Sequence, residues 1–156
     1  MLYTRLTKKA LHIMFNTHRD QLDKGALPYV FHPFEVAEQM DDEASVCVAL
    51  LHDTIEDGKI TPEYLDSVGF SEEIVDAVVL LTHKKGVPYD KYIKRIKHNP
   101  LAKKVKIADL RHNSNTDRLE QVTDETKERL EKYARAIEVL EGEDINEDDT
   151  FKDLTV

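Results

Sequence analysis

The run Leu50-Leu51-His52-Asp53-Thr54-Ile55-Glu56-Asp57 gathers an imidazole and three carboxylates within six residues. The segment before it, Ala44 to Leu51, is almost wholly apolar, so these ionisable groups adjoin a core segment. Burying them without partners is costly, and a divalent metal is the simplest partner. His52 offers a nitrogen ligand and Asp53 an oxygen ligand. Glu56 and Asp57 follow within one helical turn, placed to handle a water activated by the ion.

Two more residues have ligand chemistry. His32 precedes Pro33, and Asp109 closes the stretch Val105-Lys106-Ile107-Ala108-Asp109. Taken singly, His32 also reads as a hydrogen-bonded helix-entry residue, and Asp109 as a solvated residue on an amphipathic helix. As a set, the two imidazoles (His32, His52) and two carboxylates (Asp53, Asp109) suit a borderline divalent ion such as manganese, iron or zinc. Positions remain for water or a substrate oxygen. His83, His98 and His112 show no matching spacing for a second ion, and one ion is expected. His112, beside Asn113, is the residue best placed to change that.

The elements that must position these residues are helical. Leu2, Leu6, Ala10, Ile13, Met14 and Thr17 follow a period near 3.6 within residues 2–23. Gly25-Ala26-Leu27-Pro28-Tyr29 breaks that helix, and His32-Pro33 starts another. The run from Ala44 to Glu56 fits a buried strand or a buried helix by periodicity, and its helical surroundings favour helix. Thr61-Pro62-Glu63 and Ser71-Glu72-Glu73 are helix starts, the second with Ile74, Ala77, Val78 and Leu81 on one face. Gly86-Val87-Pro88 ends that unit. Asn99-Pro100 opens a helix running to about Asn113. Leu130, Tyr133, Ala134, Ile137 and Leu140 form the apolar face of a last helix, closed by Gly142. No strand-turn-strand signal and no repeat stand out. The expectation is an all-α fold, a single-domain helical bundle over residues 1–141, followed by a loosely held acidic tail at 142–156 whose Phe151 and Leu154 could dock.

Composition bounds the function. The 156 residues are 40% hydrophobic and 34% charged, as in a soluble domain, with a net charge of −9. Seven acids in residues 141–156, against Lys152, carry −6 of that, leaving −3 for the other residues. This balance argues against a general nucleic-acid surface. It allows a small anionic substrate received by a metal and a few cations such as Lys84, Lys85 and Arg111. No apolar run approaches a membrane span, and no signal-peptide pattern opens the chain, so no membrane partner and a cytoplasmic location are expected. Cys47, the single cysteine, reads as a core residue and excludes an internal disulfide.

Four blocks in order carry a resemblance: His18-Arg19-Asp20-Gln21; Pro28-Tyr29-Val30-Phe31-His32-Pro33; Ala49-Leu50-Leu51-His52-Asp53-Thr54-Ile55-Glu56-Asp57; and Val105-Lys106-Ile107-Ala108-Asp109 with Asn113. Up to about Leu140 the chain resembles the HD superfamily of metal-dependent phosphohydrolases. More narrowly, it resembles the small stand-alone Rel/SpoT-type hydrolases, which remove the 3′-diphosphate of guanosine tetraphosphate and pentaphosphate. The resemblance implies an all-helical fold and a nucleotide substrate. It implies one ion, commonly manganese, on His32, His52, Asp53 and Asp109, and a catalytic acidic pair, Glu56 and Asp57. Neighbours on a helix point about 100° apart, so the two acids are expected to differ in role, Glu56 in water activation and Asp57 in proton handling or positioning. His18, Lys24 and Asn113 match positions lining the nucleotide pocket.

The chain departs from that pattern at Asp23, an acid where the family carries an arginine that stacks on the base. Tyr29, Tyr89 or Tyr92 could supply a stacking face instead. Asp23 keeps open a phosphohydrolase acting on another nucleotide phosphate ester. A nucleotide-binding sensor without turnover has little use for the Glu56–Asp57 pair, and a di-iron oxygenase needs more ligands than the sequence offers. A synthetase half does not fit in this length.

Overall fold

Short polar side chains set where six of the described helices begin, each accepting a backbone N–H that the first turn leaves unpaired. In a computed structural model, residues 1–58 and 60–142 are described. Helix α1 (Arg5–His18) starts at Thr4, which forms a reciprocal capping box with Thr7. Helix α2 (Phe31–Glu38) follows the broken segment and carries His32 in its first turn. Asp42 caps α3 (Glu43–Leu51) by accepting from Ser45 N at 2.9 Å. A single turn, α4 (Thr54–Asp57), comes next. Thr61 caps α5 (Pro62–Ser67), Ser71 caps α6 (Glu72–Leu81), and Asn99 caps α8 (Pro100–Asn113). Thr123 opens α9 (Asp124–Glu141) with a second capping box, made with Thr126.

Helix α3 is the core. Val46 through Leu51 are fully buried, and the helix packs against α1, α2, α6 and α8. A helix that is apolar all round has to be enclosed on all sides, which resolves the strand-or-helix ambiguity of this run. Burial also pushes the Cys47 thiol up to about 12, with Glu43 adding to the shift, so it is an inert core residue.

The expected all-α class is found, and no strand occurs among the described residues. Three expectations change. Helix α1 spans Arg5–His18 rather than 2–23, and Leu2 is exposed. Helix α7 (Tyr89–Lys97) was not foreseen; it buries Tyr92, Ile93 and Ile96 and turns Lys94, Arg95 and Lys97 toward its C-terminal end. In α9 the buried positions are Thr126, Ala136 and Leu140, and Ala134 is exposed, because α9 rests on α7 as well as α8. Helix α9 ends at Glu141 with Gly142 as its cap. The acidic tail, including Phe151 and Leu154, lies outside the described residues. No described helix is long and apolar enough to cross a membrane.

Candidate active site and metal centre

Helix α3 stops at Leu51, and the His52-Asp53 doublet forms the break before α4. Thr54 stitches the break, its hydroxyl donating to the Leu51 carbonyl at 2.7 Å. The doublet therefore leaves the core at its rim. The His52 Nδ1–H donates to the Ala49 carbonyl at 2.5 Å, which puts the ring's lone pair on Nε2. That Nε2 is buried and makes no hydrogen bond, although Asp53 Oδ2 lies 3.1 Å away and Asp109 Oδ1 3.5 Å away. An orphaned buried lone pair facing two carboxylates is a metal-ligand arrangement.

Helix α2 brings His32 to the same point, Nε2 lying 2.9 Å from Asp109 Oδ1, and α8 brings Asp109 itself. One ligand atom each from His32, His52 and Asp109 fall within 4.8 Å of one another, and all three residues are buried. Asp53 borders this group through its oxygen beside His52. Two nitrogens with carboxylate oxygens fit a divalent ion. No second such group occurs among the described residues.

His112 completes the geometry in a way the sequence did not show. Its Nδ1 lies 2.7 Å from His32 Nδ1, so one proton serves both atoms. Its Nε2 reaches the Glu35 carboxylate and must carry its proton there. Burial, with the neighbouring His32, lowers the pKa of His112 and keeps it neutral. His112 Nδ1 then accepts from His32 Nδ1–H, which frees the His32 Nε2 lone pair for the ion. His112 is thus a support to His32 rather than part of a second metal site.

The charges are balanced tightly. Burial opposes ionisation of Asp53, but His52 outweighs it and holds the carboxyl at about 2. The Tyr29 hydroxyl donates to Asp53 Oδ2, and burial together with that carboxylate raises the phenol's pKa. Asp109 is held well below the usual carboxylate range; burial opposes this, and Lys106, His32 and His52 overcome it. Lys106 Nζ donates to Asp109 Oδ2 at 2.7 Å, leaving Oδ1 toward the two imidazoles. Asn113, one turn on, donates to that Oδ1 at 3.0 Å.

The expected acidic pair diverges. Glu56 accepts from the His83 N–H at 3.4 Å and faces Asp53, whereas Asp57 accepts from the Gln21 amide at 3.3 Å on the α1 side. Partial burial raises the pKa of Glu56; the His83 N–H works the other way, and the charges of Asp53 and Asp57 add to the rise. A carboxylate tuned upward beside a metal site suits a general base.

A cavity of about 220 Å³ opens over this group, lined by Asp53, Glu56, Asp57, Lys106, Asp109 and Asn113 among others. A second cavity of about 320 Å³ shares Asn113 and Tyr133 with it and carries Lys24, Arg118 and Arg129. Asn113 therefore borders both cavities, and Lys24 lines the larger one. His18 does not touch the ligand group. It is buried, its Nδ1 bonds Gln21 Oε1 at 2.9 Å, and its ring packs edge-on against Tyr29 at 4.9 Å, so it braces the Gln21–Asp57 and Tyr29–Asp53 contacts. Tyr89 and Tyr92 both line the smaller cavity, and Tyr92 stacks on His83 at 4.5 Å, its hydroxyl donating to the Leu81 carbonyl. Lys84 and Lys85 line neither cavity, and Arg111 is paired with Glu141. Sequence reasoning missed Glu35, Lys106, Arg118, Arg129 and Tyr133. Of these only Lys106, three residues before Asp109, carried a local signal.

No protein-family model matches the chain. It is 34% identical over 142 residues to a GTP pyrophosphokinase of Myxococcus xanthus, covering 80% of this chain and 18% of that protein. It is 36% identical over 126 residues to the GTP pyrophosphokinase rsh of Brucella melitensis biotype 1, covering 71% and 17%. The chain thus spans less than a fifth of the length of these relatives. To the guanosine-3′,5′-bis(diphosphate) 3′-pyrophosphohydrolase MESH1 of Danio rerio it is 32% identical over 123 residues, covering 70% of this chain and 68% of that one. Among solved structures it superposes on a metazoan ortholog of SpoT that hydrolyzes ppGpp, with a TM-score of 0.73, 22% identity and coverage of 98% and 97%, a likeness of fold.

Proposed function

The chain belongs to the Rel/SpoT-type HD hydrolase family of the Danio rerio relative, and on that premise we propose that it removes the 3′-diphosphate of guanosine tetraphosphate and pentaphosphate. The observation that carries this reading is the buried His32–His52–Asp109 group with its orphaned His52 Nε2, beside Glu56 in one cavity. His32, His52, Asp53 and Asp109 would hold one divalent ion, in this reading manganese. When bound, the ion makes water more acidic and offsets phosphoryl charge.

The chain's own groups supply the rest. Glu56 takes the proton of the attacking water, which its raised pKa favours. The water oxygen bonds the phosphorus next to the ribose, the bond from that phosphorus to the 3′-oxygen breaks, and the 3′-oxygen leaves with a proton. Asp57, fixed by Gln21, stands on the other side of the turn for that proton or for positioning. Asn113 orients the ribose between the cavities, and Lys106 anchors Asp109. Guanosine tetraphosphate and water give guanosine diphosphate and pyrophosphate. A cytoplasmic place of action goes with this soluble substrate.

The test is incubation of manganese-loaded protein with guanosine tetraphosphate and a panel of other nucleotides, followed by product analysis. Pyrophosphate from the first is expected. Glu56→Gln should keep the wild-type metal stoichiometry while kcat falls by about 10²–10⁴. Orthophosphate from other nucleotides alone, or normal turnover in Glu56→Gln, would sink the reading.

A further inference from the structure

Residues 21–29 form a tight loop. Leu22 and Pro28 bridge antiparallel, Asp23 N donates to the Leu27 carbonyl at 2.8 Å, and Tyr29 N donates to the Gln21 carbonyl at 2.9 Å. The Asp23 side chain works in two directions. Its Oδ1 accepts from Gly25 N at 2.8 Å and Leu27 N at 3.0 Å, which holds the loop shut. Its Oδ2 accepts from Arg118 Nη1 at 3.0 Å, on the connection between α8 and α9, 95 residues away in the chain. Gly25 shows how closely the two segments meet, since a Cβ there would collide with the Arg118 carbonyl. The loop and the connection are therefore two walls joined by one ion pair, and the 320 Å³ cavity lies between them.

The two kinds of cation on this cavity differ. Arg118 is neutralised by Asp23, with the guanidinium edge engaged and the side chain 26% exposed. A paired guanidinium is a weak phosphate anchor, but its planar face still stacks on an aromatic ring. Lys24 and Arg129 are the phosphate-type cations, close enough together with Lys132 that burial and their mutual repulsion lower the pKa of Lys24. Leu22, 63% exposed, adds an apolar surface to the same cavity. A flat, largely apolar group with acceptor atoms on its edge matches this wall, and the nucleobase is that part of a nucleotide.

We propose that Arg118, held in place by Asp23, is the specificity-determining residue that receives the purine base, the guanidinium face stacking on the ring while the phosphates turn toward Lys24, Arg129 and the catalytic cavity. This deepens the hydrolase reading and rests on it for the identity of the substrate. It also gives Asp23 a purpose: the acid is the tether of an arginine that enters from the opposite wall.

Calorimetric binding of guanosine diphosphate and of inorganic pyrophosphate to the metal-loaded full chain tests this without needing turnover. Arg118→Ala should weaken guanosine diphosphate on the order of tenfold, the scale of one lost stacking contact, and leave pyrophosphate unchanged. Arg118→Lys keeps a cation for Asp23 but loses the plane, and should show most of the same loss; it carries the comparison if the alanine variant folds poorly. Unchanged guanosine diphosphate affinity in both variants overturns the proposal, as does an equal loss for both ligands, which would make Arg118 a phosphate anchor. If the wild type releases pyrophosphate from guanosine tetraphosphate but Arg118→Lys keeps its KM, the hydrolase reading stands and this inference falls. If no pyrophosphate appears but guanosine diphosphate binding depends on Arg118, the inference stands and the hydrolase reading falls.

Discussion

His52 shows how one side chain can be prepared for a metal before the metal arrives. Its tautomer is fixed from behind by the Ala49 carbonyl, so the lone pair faces Asp53 and Asp109. Without an ion, burial works against a charged imidazole, but Asp53 and Asp109 outweigh it and hold the His52 pKa well above 6.5. A raised histidine pKa gives the metal-free protein stability that is fully present below pH 6.5 and is lost as the pH rises through the raised value. An ion needs the neutral ring, so at neutral pH it must displace that proton. Manganese binding should therefore release about one proton and tighten as the pH rises. Titration calorimetry in buffers of different ionisation enthalpy measures this directly. Binding with no proton release at pH 7 would contradict the His52 assignment.

At the scale of elements, the site depends on a helix that stops and restarts. Glu56 and Asp57 sit on α4, a single turn pressed against α1, and Gly58 ends it. A Cβ on Gly58 would meet the Thr17 methyl at 2.5 Å and the Thr54 carbonyl at 2.7 Å, so only glycine allows this approach. Gly58→Ala should cost about 1–3 kcal/mol, the usual range for overpacking, and lower kcat more than it raises KM, because α4 carries the acids and not the base pocket. Chemical denaturation and steady-state kinetics check both halves; a variant of wild-type stability would refute the close contact. Much of this scale was legible in the sequence. Cap residues at Thr61, Ser71 and Asn99 located three helices, and the apolar run from Ala44 located the core. Helix α7 was missed although Tyr89, Tyr92, Ile93 and Ile96 have helical spacing, because Asp90, Lys91, Lys94 and Arg95 between them leave only a short apolar stripe. The candidate metal group was legible in part because His52 lies beside that core and Asp53 next to it. His112 with Glu35, and Arg118 with Asp23, were not, since each pair is made by packing across 77 and 95 residues and leaves no local pattern.

Across the whole molecule, the candidate ligands join α2, the α3–α4 break and α8, elements that otherwise meet through apolar packing. An ion that binds only the folded chain should stabilise it by about 2.7 kcal/mol at a hundredfold excess over its Kd, read as a rise in Tm. The ligands should differ in what they do without metal. Asp53→Ala removes the metal-dependent rise and also costs the metal-free protein about 1–3 kcal/mol, because it takes the acceptor from the Tyr29 hydroxyl and a counter-charge from His52. Asp109→Ala should also destabilise the metal-free protein, by about 3–5 kcal/mol, because it strands the largely buried Lys106 ammonium, whose ion-pair partner is Asp109 at 2.7 Å. Adding Lys106→Met to Asp109→Ala removes the stranded charge and should recover most of that stability without recovering metal binding. A double variant no more stable than Asp109→Ala alone would show that the loss comes from the imidazoles facing Asp109 Oδ1 and not from Lys106.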